Sequence, residues 1–442
     1  MRTGQWATLI DDRLWGNFLS DLDLWWMVRP ALENPRSWRT RRADRIVPRS
    51  GKPLRMLQVS RAGSGLAVTR TENQMRVLRP VLEAIEAGFD SRPLLVTPRQ
   101  YLAHMASPKT EAARVTAQGV AVLKRLDHSD RIPRWTNIVA KANLTRMAAR
   151  QIPLEEFDWL LISTQHDPHV RAVVARAREI GLPVVYIPHA PLASNPQYLD
   201  LPVDFAGVRG DLEAEYYARF SDGAASGIVP IGNPATGFMD RALAPIGPEF
   251  PVVLAVSPFH LEILQRIIEV VELSGLKDVV VAPHPGSNRK QLSRLVPRDW
   301  RIAPPSIRTS QLLSDGVRAL IQHSSGVAWE ALAMGIPTAD IRLGEPRPNY
   351  PFLDNAAAIP ALRSPQEVRQ FVERAAHVRL QDREGLREYA RSWCACDGPS
   401  SVSMALELLD RARHEGARAT PIIDGWAPDG PASVMSEIAP AL

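Results

Sequence analysis

Leu320-Ile321-Gln322-His323-Ser324-Ser325-Gly326-Val327-Ala328-Trp329-Glu330-Ala331-Leu332-Ala333-Met334-Gly335-Ile336-Pro337 decides the reading of this chain. An apolar run stops at two small hydroxyl residues and a glycine. A helix follows at once, carries Glu330 on its first turns and ends at Gly335. Thr338-Ala339-Asp340-Ile341 then reads as another strand. The pattern is strand, small-residue turn, helix, glycine stop, strand. Such a helix start points backbone N–H groups and a positive dipole end at whatever sits above the turn, which suits a phosphate. The same hydroxyls also suit plain N-capping, and Glu330 also suits an exposed helical charge. Upstream, Val279-Val280-Val281-Ala282-Pro283-His284-Pro285-Gly286 delivers a histidine from a buried-strand pattern into a loop bounded by proline and glycine. Two such strand-end loops in one sheet imply a nucleotide mono- or diphosphate site.

The chain has 442 residues, too many for one ordinary core, so two or three domains are expected. With 45% hydrophobic and 23% charged residues its composition is that of a soluble globular protein. It has no apolar run of about 18 residues, the length a transmembrane helix needs. Asp11 and Asp12 stand where a signal peptide would need its apolar core, so a cytoplasmic location is expected. The two cysteines, Cys394 and Cys396, are too close in sequence for an easy disulfide and read as structural. No metal-ligand spacing occurs, and neither a metal nor a cofactor is expected.

The net charge of +5 is local. Residues 36–55 carry eight basic side chains, from Arg36 to Arg55, against Asp44 alone. Five of the eleven tryptophans, Trp6, Trp15, Trp25, Trp26 and Trp38, lie within or just before this strip. Indole rings beside a polybasic strip suit an anionic membrane surface. An appendage that packs its tryptophans on the main body fits equally well. No motif for nucleic-acid binding accompanies the charge.

From residue 51 onward, strands and helices alternate. Leu54–Val59 reads as a strand, 60–65 as a flexible loop, and Thr71–Ala87 as a helix with Met75, Leu78, Val81, Leu82 and Ile85 at helical spacing. Strands are expected at 93–97, 159–163, 184–187, 205–208 and 227–231. The proline- and glycine-rich stretch 245–251 marks a linker. A second set begins at Val252–Val256, and a closing helix at about 401–414 completes it. The expected architecture is α/β: two Rossmann-like, doubly wound parallel-sheet domains facing a cleft. Their expected bounds are a helical appendage at 1–50, an acceptor domain at 51–245, a nucleotide-binding domain at 246–416 and a loose tail at 417–442.

Ile187-Pro188-His189 and Ile231-Gly232-Asn233-Pro234 in the first half combine with Ala282-Pro283-His284-Pro285, His323-Ser324-Ser325-Gly326, Glu330-Ala331 and Gly335-Ile336-Pro337 in the second. Together they resemble GT-B glycosyltransferases. The closest look is to the bacterial group that makes capsules, teichoic acids and related surface glycans. The pattern also resembles the UDP-GlcNAc 2-epimerases, which share the fold. The likeness covers roughly residues 180–345. The chain departs from the glycosyltransferases with His189-Ala190, where His-Gly is frequent. It also lacks the His-Arg-x-Glu-Asn loop of the epimerases and has Ser257-Pro258-Phe259-His260 there.

The resemblance implies that the second domain holds a donor linked to CMP, CDP or UDP. Ser324, Ser325 and the Gly326 N–H would then hold the phosphate nearest the sugar. His284 would add a hydrogen bond or positive charge to the leaving group, and Glu330 would accept from ribose hydroxyls. The acceptor, a glycan or a lipid-linked glycan, must lose a proton. Candidates for that base are His166, Asp167 and His169 after one strand and His189 after the next, with His189 first. Gly63 and Gly65 would approach the donor phosphate or the acceptor, or form an ordinary turn. Arg347, in the loop 344–350, suits an acidic sugar. The expected activity is a metal-independent glycosyl transfer at the inner membrane face. A sugar-nucleotide 2-epimerase and a non-catalytic scaffold of the same fold are the alternatives.

Overall fold

A computed structural model describes residues 54–96, 149–165, 167–193, 201, 203–220, 227–239, 241–257, 261–284, 286–343 and 350–418. The Trp/Arg-rich appendage, His166, Arg347 and all but the first two residues of the tail lie outside them.

The first half comprises β1 (Leu54–Ala62), β2 (Gly65–Thr69), α1 (Glu72–Ile85), β3 (Asp90–Val96), β4 (Trp159–Ile162), α2 (Pro168–Glu179), β5 (Val184–Tyr186), β6 (Phe205–Val208), α3 (Asp211–Phe220) and β7 (Ile228–Pro230). Its sheet has the order β3-β1-β2-β4-β5-β6-β7. Strands β2 and β4 to β7 are parallel, and β1 runs antiparallel to both of its neighbours. The central strands are continuous apolar runs because helices cover both faces. Leu160, Ile162 and Val184 pack towards α2, whereas Leu161, Val185 and Phe205 pack towards α1. A capping box between Thr71 and Gln74 starts α1 and fixes how it leaves β2.

The expected flexible loop at 60–65 is instead a tight hairpin. Strand β1 runs on through Ala62, Gly63 turns with φ +55°, and Ala62 pairs with Gly65. This hairpin opens β2, so it lies at the end of the sheet opposite the carboxyl ends of the parallel strands. A β-carbon on Gly65 would fall 1.8 Å from the Trp159 ring. The glycine is there so that the indole can lie on the backbone, and the Gly63 N–H is taken by Glu86. The reading of Gly63 and Gly65 as a ligand loop is therefore corrected: they do not reach the cleft.

The second half comprises β8 (Val252–Val256), α4 (Leu261–Leu273), β9 (Val279–Pro283), α5 (Arg289–Leu292), β10 (Arg301–Ile302), α6 (Thr309–Asp315), β11 (Ala319–Gln322), α7 (Val327–Ala333), β12 (Thr338–Ile341), β13 (Ala361–Leu362), α8 (Pro365–Ala375), α9 (Leu380–Trp393) and α10 (Pro399–Glu415). Its sheet is wholly parallel in the order β10-β9-β8-β11-β12-β13. Counted from β8 this is the dinucleotide-fold order, in which the chain reverses direction between β8 and β11 and leaves a crevice above their carboxyl ends.

The domain boundaries differ from the expected ones. Phe238, Met239 and Ala244 already belong to the second core, so the stretch 245–251 lies inside that domain. The closing helix α10 does not complete the second domain. Its Ala405, Leu408, Leu409 and Ala412 pack against Leu78, Val185 and Phe205 on the first sheet. The chain thus crosses between domains twice, and the two crossings are tied to each other. Asn233 N–H donates to Cys396 O (3.0 Å), and Gly398 N–H donates to Asn233 O (3.1 Å). The buried Asp397 side chain accepts from the N–H of Phe238 (2.5 Å) and of Met239 (3.3 Å). Replacing Asp397 by Ala leaves those buried donors unpaired. It should lower stability by about 2–3 kcal/mol, read from the urea midpoint of the full chain; an unchanged midpoint would show that the crossings are held by other contacts.

Candidate functional site

The turn after β11 sits at the reversal point of the second sheet. Ser324 takes φ +47°, the only positive φ of a non-glycine residue among the described residues. Such a backbone persists only where its surroundings hold it, and here a buried carboxylate does so. Asp340, at 1% exposure on β12, accepts from the Ser324 N–H (3.1 Å) and from Gln322 Nε2 (3.0 Å). Arg342 Nε donates to the other Asp340 oxygen at 3.0 Å. Gln322 Oε1 in turn accepts from the Ser325 N–H at 2.5 Å, and His323 Nδ1 sits on Ile341 O.

The side chains therefore consume two of the N–H groups expected to face a ligand. Ser325 Oγ accepts weakly from the Val327 N–H at 3.4 Å, in the capping role. The Gly326 N–H forms no hydrogen bond among the described residues and, with the Ser325 hydroxyl, is what this turn offers a phosphate. His284 follows β9 and is exposed. Its Nδ1 accepts from the Gly286 N–H at 3.0 Å, which leaves Nε2 to carry the proton of the neutral ring. Partial burial lowers its pKa, so the ring presents itself as a neutral donor.

The first domain closes the other side. His189 lies beyond β5, and its Nδ1 donates to Ser163 O at 2.6 Å. This bond selects the tautomer with a lone pair on Nε2, the form a general base needs. Burial lowers the His189 pKa, and the nearby Arg76 lowers it further against the pull of the Ser163 bond. Two residues on, Pro191 touches the turn after β11: a β-carbon on Gly326 would lie 3.2 Å from Pro191 Cδ. The loop that carries His189 and the Ser325-Gly326 turn, separated by more than 130 residues, thereby come together.

Asp167 has a different task from the one expected. It caps α2, accepting from the N–H of His169 (2.8 Å) and Val170 (3.3 Å), and sits 3.3 Å from the His169 ring and 3.9 Å from Arg70. Despite burial, which acts to raise its pKa, the His169 hydrogen bond and charge, with Arg70, hold it at about 2. A carboxylate that acidic is a poor base, and its place as proton acceptor is withdrawn. His169, 5% exposed, is Asp167's partner.

Sequence reasoning missed the charges that ring Glu330. Burial raises the Glu330 pKa, and Arg76 on α1, Arg209 after β6 and Arg308 before α6 oppose that rise. Arg209 also stacks on the Trp329 ring at 4.3 Å, from one domain to the other, and lies against the buried Glu213. The missed signals are slight: a charge in the apolar run Thr338–Ile341, and an arginine in Val208-Arg209-Gly210 where a strand ends. Among the described residues no three His, Cys, Asp or Glu side chains come together as a metal site. No helix among them is long and apolar enough to cross a membrane.

No protein-family model matches the sequence, and a search of curated proteins finds no match. Solved structures with a similar course of chain include glycosyltransferases and UDP-GlcNAc 2-epimerases. The glycosyltransferase SnogD from Streptomyces nogalater aligns at a TM-score of 0.45 and 14% identity, over 77% of this chain and 96% of that one. The UDP-GlcNAc 2-epimerase from Neisseria meningitidis bound to UDP-GlcNAc aligns at 0.41 and 14%, over 76% and 90%. The calicheamicin glycosyltransferase CalG4 aligns at 0.42 and 18%, over 69% and 82%.

Asp340→Ala should cost about 2–3 kcal/mol, because it leaves the Ser324 N–H and Gln322 Nε2 without their acceptor and takes from Arg342 one of its partners, Leu353 O and Asp354 remaining. Chemical denaturation of the variant reads this directly, and a loss under about 1 kcal/mol would mean the turn holds itself.

Proposed function

We propose that this protein is a metal-independent glycosyltransferase that moves a sugar, or a glycerol-phosphate-like group, from a nucleotide-activated donor to a surface-glycan acceptor. The observation that carries the reading is that the loop bearing His189 meets the Ser325-Gly326 turn, through Pro191 against Gly326, at the reversal point of the second sheet. Donor phosphate rests on the Gly326 N–H and the Ser325 hydroxyl, with Nε2–H of His284 beside it. Glu330 takes the ribose hydroxyls. His189 Nε2 removes the proton of the acceptor hydroxyl. For a sugar, the acceptor oxygen bonds to the reacting carbon as that carbon's bond to the phosphate oxygen breaks, and the bonding pair leaves on the phosphate; for a glycerol-phosphate-like group the same displacement takes place at its phosphorus, and the pair leaves on the nucleotide's phosphate. Fixed donors aimed at that growing charge supply the stabilisation.

Residues 1–50 are proposed to hold the enzyme on the anionic inner membrane face, where a lipid-linked acceptor would be found. Their tryptophans and the basic strip that follows support this. Full-length protein should sediment with anionic liposomes at low salt and be released as salt rises, whereas a chain starting near Arg49 should stay in solution. Full-length protein that ignores the vesicles would sink the membrane assignment.

A thermal-shift screen with CMP, CDP, UDP and GDP tests the donor site, since a ligand of the folded state raises the melting point. Ser325→Ala and His284→Ala should each lower turnover about ten- to a thousandfold. His189→Ala should lower it about 100- to 10,000-fold while nucleotide binding persists. Neutral His189 is the reactive form and its pKa is depressed. The rate kcat/KM should thus hold level through neutral pH and fall on acidification only below the ordinary histidine value of about 6.5. Activity should survive EDTA. Interconversion of a sugar nucleotide at its 2-position, with no acceptor added, would replace this reading by the epimerase.

A further inference from the structure

Along α1, the stripe facing away from the first core is Glu72, Asn73, Arg76, Arg79 and Glu83. Four of these are exposed, as a helix surface should be. Arg76 is half-buried, its Nε is fully buried, and that nitrogen has no hydrogen-bond partner among the described residues. The core of its own domain does not cover it, because Met75, Val77 and Leu78 occupy that face. Glu330 of the second domain and His189 of the first are both near enough to feel the Arg76 charge. Arg76 is thus within electrostatic reach of the group that would take the acceptor proton and of the group that would hold the nucleotide.

The strand ends beneath it are also unsatisfied. Thr69 Oγ1 and Ser163 Oγ are buried, at 1% and 0% exposure, and have no partner among the described residues. They occupy the rung after Val68↔Ile162, on the side of the sheet that α1 covers, and His189 is anchored to the Ser163 carbonyl. A buried polar atom without a partner costs roughly 1–3 kcal/mol, and two at one strand end, with Arg76 Nε on the helix that follows it, call for a ligand. Of the other cations near Glu330, Arg209 is committed to Trp329 and Glu213, and Arg308 is exposed.

We propose that Arg76 is the cation that the first domain supplies to the donor's phosphate, held within electrostatic reach of Glu330 while the cleft is empty and bound to the phosphate once a nucleotide is seated. This rests on the donor site proposed above. A guanidinium offers a planar fork of donors that fits two phosphate oxygens at once. With Arg76 on the phosphate, Glu330 remains for the ribose. As the sugar–phosphate bond breaks and its electron pair moves onto the phosphate oxygen, the attraction to Arg76 grows, so the residue acts on turnover as well as on binding. The ligand it selects is a nucleotide, not a nucleoside.

Titration calorimetry of the full chain with CMP, CDP and UDP, and with cytidine and uridine as phosphate-free controls, tests this. Arg76→Gln should weaken the nucleotide that wild type binds best by about ten- to a hundredfold and leave nucleoside affinity unchanged. Arg76→Lys should restore part of the loss, since an ammonium keeps the charge but not the fork. If Arg76→Gln fails to fold, Arg76→Lys carries the same comparison. Equal nucleotide affinity in wild type and variant would overturn the role of Arg76 and leave the transferase reading standing. An equal loss for nucleotide and nucleoside would make Arg76 merely structural. A wild type that binds no nucleotide would remove the donor site itself, and this inference with it.

Discussion

The cleft depends on one short clamp, the pairing of the two interdomain crossings at 232–239 and 394–398. Asp397 holds the backbone N–H groups of Phe238 and Met239, and Asn233 exchanges hydrogen bonds with Cys396 and Gly398. The close approach needs glycine, because a β-carbon on Gly232 would lie 2.0 Å from the Cys396 carbonyl oxygen. Since α10 then docks on the first sheet, neither domain can drift away without undoing packed surface. Two independent Rossmann-like units would face each other at random; two crossings tied side by side leave one hinge and one facing geometry.

Within that geometry the two walls are prepared differently. The wall from the second domain is rigid. Asp340, buried on β12, holds Ser324 in a strained backbone and orients Gln322, which in turn holds Ser325. The turn is thus satisfied internally except at Gly326, whose N–H forms no hydrogen bond among the described residues. The wall from the first domain is less complete. His189 is fixed by Ser163, but Thr69, Ser163 and Arg76 retain polar atoms without partners among the described residues. Glu330 links the walls electrostatically, drawing arginines from both.

Much of the second domain was legible because its signals are local. The run Val252–Val256, the run Ala319–Gln322 and the glycine stop at Gly335 each appear in the structure with the expected bounds, since burial on both faces demands continuous apolar strands. The loop at 60–65 misled because glycine marks both a ligand loop and a tight turn, and only the Trp159 ring above Gly65 separates the two. Asp167 misled because a carboxylate after a strand serves equally as a cap or a base. Its partners His169 and Arg70 decide, and they do so through space.

The sequence by itself determined most of the elements, the alternation that makes two mainly parallel sheets, and the strand ends that carry His189, His284 and Ser324-Ser325-Gly326. These follow from apolar periodicity and from the backbone needs of glycine and proline, which act over a few residues. Tertiary structure alone decided that α10 belongs to the first domain, that Pro191 meets Gly326, that Asp340 and Gln322 take two N–H groups of the turn, and that Arg76 comes within electrostatic reach of Glu330. Each of these joins residues far apart in the chain, and the physical terms that join them are contact, desolvation and charge. Those terms depend on distance in space, and residue order does not encode that distance.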